Sequence, residues 1–336
     1  MNNNSHAVIL GVESSCDDTA AAVLINGKVE SNCVANQEVH SEYGGVVPEL
    51  ASRKHQQNIV PVVNQALKIA GIKKEDITAV ACTQGPGLLG SLLVGYTFSK
   101  GLAMSLGVPL INVNHIDAHI WAHYIEDPSP KGKFLCLLVS GGHTQIILVD
   151  EQKVEVLGSS LDDAAGEAFD KAGKMLGLPY PAGPEIDQRA KNGDPLKYSF
   201  STSSVGELNF SFSGLKTSVK YFLQDQIKDD PDFIQKNIND LCASIQHTIV
   251  SYLMSKLHKA VEIHQIDQVG IAGGVAANSM LRARLHDYCS ENGLEAFIPA
   301  MEHCTDNAAM IAQAGYMKYN KNEFGTLNDV CFTRYE

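Results

Sequence analysis

Two histidines one helical turn apart, His115-Ile-Asp-Ala-His119, are the sharpest chemical feature of the chain. Positions i and i+4 of a helix share a face, so both imidazoles can converge on one ion. Two boundary histidines on an amphipathic helix have the same spacing, so a third ligand has to decide. His123 prolongs the stripe, but it lies eight residues from His115, about 12 Å along the axis, too far to share an ion with it. A carboxylate from elsewhere is the better candidate. Within Glu302-His-Cys-Thr-Asp-Asn-Ala-Ala309, Asp306 would complete a two-histidine, one-carboxylate group. Asp306 and Thr305 also stand just before an apolar helical stretch and could equally be its caps. A metalloprotease of the zincin kind needs Glu directly after the first histidine, whereas this chain has Ile116 there and Asp117 turned away. That spacing disfavours proteolysis.

Phosphate chemistry is the second theme. Glu13-Ser-Ser-Cys-Asp-Asp18 and Ser140-Gly-Gly-His-Thr144 are connections of small residues whose backbone N–H groups are free to cradle phosphate oxygens. Each alone reads as an ordinary hairpin turn; the repetition is what carries weight. Glu13, Asp17 and Asp18 cannot themselves attract phosphate, so a metal or a proton-transfer role has to account for them. Gly273-Gly274 sits between a strand, Gln268 to Ala272, and a helix expected over Val275 to Cys289, where glycine permits close backbone approach to a ligand. Asp162 to Lys171 reads as a charged helix face, and Tyr180-Pro-Ala-Gly-Pro184 with Asp187 as a rigid wall. Gly44 to His55 and Phe210 to Lys216 gather small, polar and basic residues around helix starts; Arg53, Lys54 and Lys216 could meet phosphate there.

These residues need a scaffold. Ala7 to Val12 and Thr19 to Leu24 read as strands around the first connection, and Asn26-Gly27 leads into a third. After a linker, Asp127 to Lys133, the pattern returns as Phe134 to Val139, Thr144 to Val149 and Lys153 to Leu157. Strand and helix then alternate: Ile77 to Thr83, a helix after Gly87, Pro109 to Val113, and a helix over His115 to Glu126. The expectation is an internally duplicated α/β protein of two lobes, 1–130 and 131–336, with the terminal helix packing back on the first. Its 336 residues, 44% hydrophobic and 19% charged, suit two buried cores.

The formal charge is −12, with seven Lys and Arg against twelve Asp and Glu up to Pro130 and 19 against 26 beyond it. Such a surface argues against autonomous nucleic-acid binding, because phosphate neutralisation dominates that affinity. The eight cysteines are never closer than fifteen residues and read as reduced cytosolic thiols. Near the start, the apolar run from Ala7 to Val12 is too short for a membrane span and no basic leader precedes it.

Nine motifs in order resemble the TsaD family, and the resemblance covers nearly the whole chain. They are Gly11-Val-Glu-Ser-Ser-Cys-Asp-Asp18, Gly44-Gly-Val-Val-Pro-Glu-Leu-Ala-Ser-Arg53, Gln84-Gly-Pro-Gly-Leu-Leu-Gly-Ser-Leu92, Asn114-His-Ile-Asp-Ala-His119, Leu138-Val-Ser-Gly-Gly-His-Thr144, Asp162-Asp-Ala-Ala-Gly-Glu-Ala-Phe-Asp170, Phe212-Ser-Gly-Leu-Lys216, Gly273-Gly-Val-Ala-Ala-Asn278 and Cys304-Thr-Asp-Asn307. The resemblance implies a two-lobed actin/Hsp70-like fold of duplicated ribonuclease H-like subdomains, its lobes enclosing an adenine nucleotide. It implies transfer of a threonylcarbamoyl group from threonylcarbamoyl-AMP to the exocyclic amine of adenosine 37, in tRNAs reading codons that begin with adenine. Matching positions make His115, His119 and Asp306 metal ligands, for Fe2+ or Zn2+, and make Leu138, Val139, Ser140, Gly141, Gly142, Asp170, Gly183, Asp187 and Asn278 line the substrate site. His123 is outside the family pattern. The attacking amine needs a proton acceptor, and Asp17, then Glu13, are the candidates.

The implied partners are tRNA, a separate synthase making the adenylate, a truncated paralogue of the TsaB type and a small P-loop ATPase of the TsaE type, in the cytoplasm. The rival expectations are a metal-dependent glycoendopeptidase, another ATP-dependent kinase or carbamoyltransferase of the same fold, and a nucleotide-switched binding module.

Overall fold

The computed structural model describes residues 6–37, 40, 43–150, 153–203 and 205–334. Along the chain run β1 (Val8–Glu13), β2 (Thr19–Ile25), β3 (Lys28–Ala35), α1 (Pro48–Ala70), β4 (Ala79–Gly85), α2 (Leu89–Leu106), β5 (Leu110–Asn114) and α3 (His115–Trp121). Then come β6 (Lys133–Val139), β7 (Thr144–Asp150), β8 (Lys153–Ser159), α4 (Ala165–Met175), α5 (Ala182–Ala190), α6 (Ser213–Asp229), α7 (Phe233–His264), β9 (Gln268–Ala272), α8 (Ser279–Asn292), β10 (Glu295–Phe297), α9 (Met301–Cys304) and α10 (Ala308–Tyr319). They form two compact units: Met1–Ser129 with Ala300–Glu336, and Pro130–Pro299.

Each unit holds one five-stranded sheet, ordered β3-β2-β1-β4-β5 in the first and β8-β7-β6-β9-β10 in the second. In both, the first three strands are an antiparallel meander and the last two run parallel to the first. The duplication read from the hairpins is therefore a duplication of whole sheets. β1, Val-Ile-Leu-Gly-Val-Glu, is buried at every position, as a strand covered on both faces must be.

One cover is α10, whose residues from Ala308 to Gly315 are all buried. Glycine lets it approach. A Cβ on Gly11 would stand 2.6 Å from the Ala308 carbonyl oxygen and 2.7 Å from the Ala312 nitrogen. The other cover includes α1, which begins at Pro48, presents Ala51, His55, Ile59, Val62, Val63, Ala66 and Leu67 inward, and stops at a left-handed Gly71.

Two helix boundaries differ from the sequence reading. The helix expected over His115 to Glu126 ends at Trp121 and tightens into a 3-10 turn, Ala122–Tyr124, where the His123 imidazole lies 2.9 Å from the Ile120 carbonyl oxygen. The helix expected from Val275 starts at Ser279 after a 3-10 turn, Gly274–Ala277, because the Asn278 side chain accepts from the Leu281 N–H and so sets the cap.

α6 is anchored from outside itself: Asp162 accepts from the Phe212 N–H at 2.8 Å and from the Ser211 hydroxyl at 2.5 Å. Burial raises the Asp162 carboxyl, but hydrogen bonds from Ser211, Phe212 and Ser213 outweigh it and hold the group below its ordinary value. A depressed folded-state value stabilises the fold above the unfolded-state pKa, about 3.9, and that contribution is lost as pH falls through the folded value. Asp162→Ala is expected to lower stability at neutral pH by about 1–3 kcal/mol in denaturant unfolding. The gap between variant and wild type should narrow below about pH 4; a gap that widened there would contradict the assignment.

Candidate metal centre and phosphate loops

In the first unit β1, β4 and β5 are parallel, so the connections that follow them emerge at one end of the sheet, the end where open α/β sheets place ligands. The histidine helix leaves β5 directly. Asn114 caps it, accepting from the Ile116 and Asp117 N–H groups at 2.8 and 3.2 Å, which puts His115 in the first turn and His119 one turn on. Their rings meet edge to face with centroids 4.9 Å apart. Asp306 Oδ1 lies 3.3 Å from His115 Nε2 and 3.2 Å from His119 Nε2. One donor atom from each of the three residues falls within 4.8 Å of the others. The capping alternative for Asp306 fails, because Asn307 is the cap of α10 and accepts from the Met310 N–H at 3.0 Å. Asp306 is left to face the imidazoles.

Glu13 stands behind them. Fully buried at the end of β1, its carboxylate accepts from the Ser15 N–H, from the Thr83 hydroxyl and, at 3.1 Å, from His115 Nδ1. With Nδ1–H committed to Glu13, a neutral His115 turns the lone pair of Nε2 toward a carboxylate oxygen. Only a proton or a cation between them makes that arrangement favourable. Burial opposes charge on His115, but Asp306 and Glu13 outweigh it and hold the imidazole well above its ordinary value. His119 is 2% exposed, and its Nδ1 has no hydrogen-bond partner among the described residues. Two imidazoles and a carboxylate oriented by a buried acid fit one divalent ion of the zinc or iron(II) kind.

Asp17 and Asp18 lie half-buried in the β1–β2 connection. Burial, then the charges of Asp17, Asp306 and Glu13, push Asp18 up to about 7. Folded Asp18 thus keeps a proton, between about pH 4 and 7, that the unfolded chain has released. The stability of the metal-free protein falls across that window as pH rises. His115 continues the trend above its ordinary value. A divalent ion replaces those protons, so Zn2+ is expected to raise Tm more at pH 8 than at pH 5.5. Equal gains at the two pH values would argue against the assigned ligands.

The second unit repeats the geometry without the histidines. β6 and β9 are parallel neighbours, so Ser140–Gly142 and Gly273–Gly274 follow strands that end side by side. Gly141 and Gly142 are exposed, and a Cβ on either would meet nothing within 4 Å; the loop is closed by the Ser140 N–H donating to the His143 carbonyl at 2.8 Å, and the Gly142 N–H lies 3.3 Å from Ser140 Oγ. Leu138 and Val139 are buried strand residues beneath the loop. Gly183, in the first turn of α5, is likewise unobstructed. The polar residues named with them are engaged within the protein. Asp170 accepts from the Ala182 N–H at 2.8 Å, Asp187 from the Ser279 hydroxyl at 2.7 Å, and the Asn278 amide donates to Gln246 at 2.9 Å. They brace α5 and α8 around the glycine turns.

Sequence reasoning passed over several of these supports. Thr83 is seventy residues from the carboxylate it holds. Gln246 is thirty-two residues from Asn278. His55 fixes the β1–β2 connection, with Nδ1 2.8 Å from the Thr19 hydroxyl and Nε2 3.0 Å from the Cys16 carbonyl oxygen. Leu88 donates from its N–H to the Ser15 carbonyl at 2.8 Å, and Gly87 has no room for a Cβ against the same oxygen. The glycine-rich Gln84 to Leu92 motif was the available signal for that last contact.

The fold has solved counterparts. Full-length HypF, determined in a phosphate- and nucleotide-bound form, matches with a TM-score of 0.62 at 15% identity, over 95% of this chain and 47% of its own. The ROK hexokinase of Thermus thermophilus matches at 0.50 and 16% identity, over 94% and 99%. With the doubled sheets, these place the chain in the actin, Hsp70 and sugar-kinase class of folds. Within that class, the model of the TsaD family, tRNA N6-adenosine threonylcarbamoyltransferase, matches residues 28–313. The chain is 57% identical over 332 residues to the enzyme of that name from Christiangramia forsetii, covering 98% of each. It is 54% identical over 333 residues to the one from Porphyromonas gingivalis, covering 97% of this chain and 98% of the relative. The chain belongs to the TsaD family.

Proposed function

We propose that this chain is a tRNA N6-adenosine threonylcarbamoyltransferase, acting on adenosine 37 of tRNAs that read codons beginning with adenine and using threonylcarbamoyl-AMP as donor. Near-complete coverage by relatives of that name carries the reading. In the reaction the exocyclic amine attacks the carbamoyl carbonyl, a C–N bond forms, the bond from that carbon to the phosphate oxygen breaks, and AMP leaves. A Fe2+ or Zn2+ ion held by His115, His119 and Asp306 would polarise the carbonyl as a Lewis acid.

The protein's own groups supply the rest. The exposed Gly141–Gly142 stretch receives the phosphate, its loop closed by the Ser140 N–H donating to the His143 carbonyl at 2.8 Å, while Gly183, Asn278 and the Gly273-Gly274 turn bound the adenosine. Asp170 and Asp187 keep α5 in register with that turn. Because both Glu13 oxygens are taken, Glu13 orients His115, and Asp17 is left as the acceptor of the amine proton.

A separate synthase supplies the adenylate, and companion chains of the TsaB and TsaE types complete the system. The acidic composition supports that dependence, since few phosphate contacts come from this chain alone. So does a stripe of exposed apolar residues on α2, Leu89, Leu93 and Met104. Among the described residues no helix is long and apolar enough to cross a membrane, and a cytoplasmic setting is proposed on that basis together with the thiols.

The test is direct: incubate the purified chain with threonylcarbamoyl-AMP and unmodified tRNA, with and without the companion chains, and assay digested RNA by mass spectrometry. Threonylcarbamoyladenosine and AMP should appear in equal amounts. Cleavage of an unfolded glycoprotein without any modified nucleoside would overturn the reading.

A further inference from the structure

We propose that the exposed face of α6 from Ser213 to Gln224 binds the phosphate backbone of the RNA acceptor, a contact that rests on the transfer reading above. The chain carries 38 acidic residues, yet none lies in these twelve positions. Lys216 and Lys220 are exposed and make no ion pair among the described residues. In the same unit Lys171, Lys197, Lys228, Lys236 and Lys259 each pair with a carboxylate. Leu215, Val219 and Leu223 turn one side of the helix inward, and Lys216 and Lys220, each about 100° round the helix from the buried residue before it, stand on its exposed flank.

Four residues apart, the lysines lie about 6 Å from each other along the axis, comparable with the step between neighbouring phosphates on a strand. Like charges at this spacing repel, and an anionic backbone laid across them relieves the repulsion. Tyr221, 65% exposed, lies about 100° further round the helix from Lys220, at the other edge of the exposed face, and offers a surface on which an unpaired base can stack. Neutral Ser213, Thr217 and Gln224 fill the remainder of this face, with no apolar stripe to receive a protein.

The position is relevant to the reaction. The short segment from Leu161 to Gly166 touches both sites: Leu161 donates from its N–H to the Phe210 carbonyl at 3.0 Å, Asp162 holds the Phe212 N–H, and Gly166 donates to the Ser140 carbonyl at 3.1 Å. RNA on α6 therefore lies one short segment from the loop assigned to the adenylate phosphate.

The test uses the full chain, with the companion chains that wild type needs, and the double variant Lys216→Gln with Lys220→Gln. Unmodified tRNA transcript is the probe, in equilibrium binding by fluorescence anisotropy and in transfer at saturating donor. The variant should bind tRNA about tenfold more weakly and raise KM to the same extent, with kcat and AMP affinity within twofold. Its slope of log affinity against log salt should be shallower by about 1.4–1.8, the loss of two phosphate contacts. An unchanged slope with affinity within threefold would overturn the proposal, as would weaker association with a companion chain at an unchanged slope. Because anisotropy needs no turnover, a wild type that binds tRNA but forms no modified nucleoside would count against the transfer reading alone.

Discussion

His119→Ala is expected to abolish stoichiometric metal binding and reduce threonylcarbamoyl transfer by at least about 100-fold, the scale seen when one electrostatic stabiliser is removed. The substitution leaves one imidazole and one carboxylate, too few donors to hold a zinc or iron(II) ion in a defined geometry. His119 is almost completely buried against Asp306, and among the described residues no further His, Cys, Asp or Glu groups with these three ligands. The loops assigned to the adenylate, Ser140–Gly142 and Gly273–Gly274, belong to the other compact unit. AMP affinity should therefore stay within about tenfold, roughly 1.4 kcal/mol. Metal analysis, calorimetry with AMP and single-turnover transfer on one preparation measure the three quantities together. Full transfer by a metal-free His119→Ala protein would refute the ligand assignment, and loss of AMP binding as well would show that the two sites are coupled.

The elements that position the site were legible in the sequence where burial on both faces leaves a continuous apolar run. β1 and β6 are such strands, and their recurrence with the same small-residue connection exposed the duplication. The histidine pair was legible because i, i+4 spacing is a local property of a helix. The choice between Asp306 as cap and Asp306 as ligand was not local. It depended on Asn307 taking the capping bond, which shifts the helix start by one residue and frees the neighbouring carboxylate.

Glu13 was visible as an acid that could not attract phosphate, but its role depends on Thr83 and His115, which only the fold brings to it. Asp170, Asp187 and Asn278 show the same limit. Their spacing said nothing of the amide, hydroxyl and backbone groups that engage them. Long-range hydrogen bonds of this kind leave no periodic mark on a sequence.

Gly273→Ala is the complementary experiment. Gly273 sits at φ 85° and ψ 169°, a region that residues with a Cβ scarcely enter, and forcing one there costs about 1–3 kcal/mol. Space compounds the strain. A Cβ would stand 2.5 Å from the Val139 carbonyl oxygen and 2.9 Å from its carbon, both main-chain atoms at the base of the Ser140–Gly142 loop. A flexible side chain could swing aside; a strand end paired to β7 and β9 cannot, so the Gly273 turn and the loop must move apart. The N–H groups meant for the phosphate then lose their common focus. AMP affinity should fall at least about 30-fold, the equivalent of roughly 2 kcal/mol, and transfer should fall with it. Zinc affinity should stay within twofold, since His115, His119 and Asp306 all belong to the first unit. Gly274→Ala separates strain from contact: its Cβ meets no protein atom within 4 Å and its φ is not positive, so thermal stability should be unchanged even if ligand contact is lost. If Gly273→Ala lowered Tm yet bound AMP as wild type does, the glycine turn would be a structural corner, and the adenylate would have to be sought elsewhere on the unit.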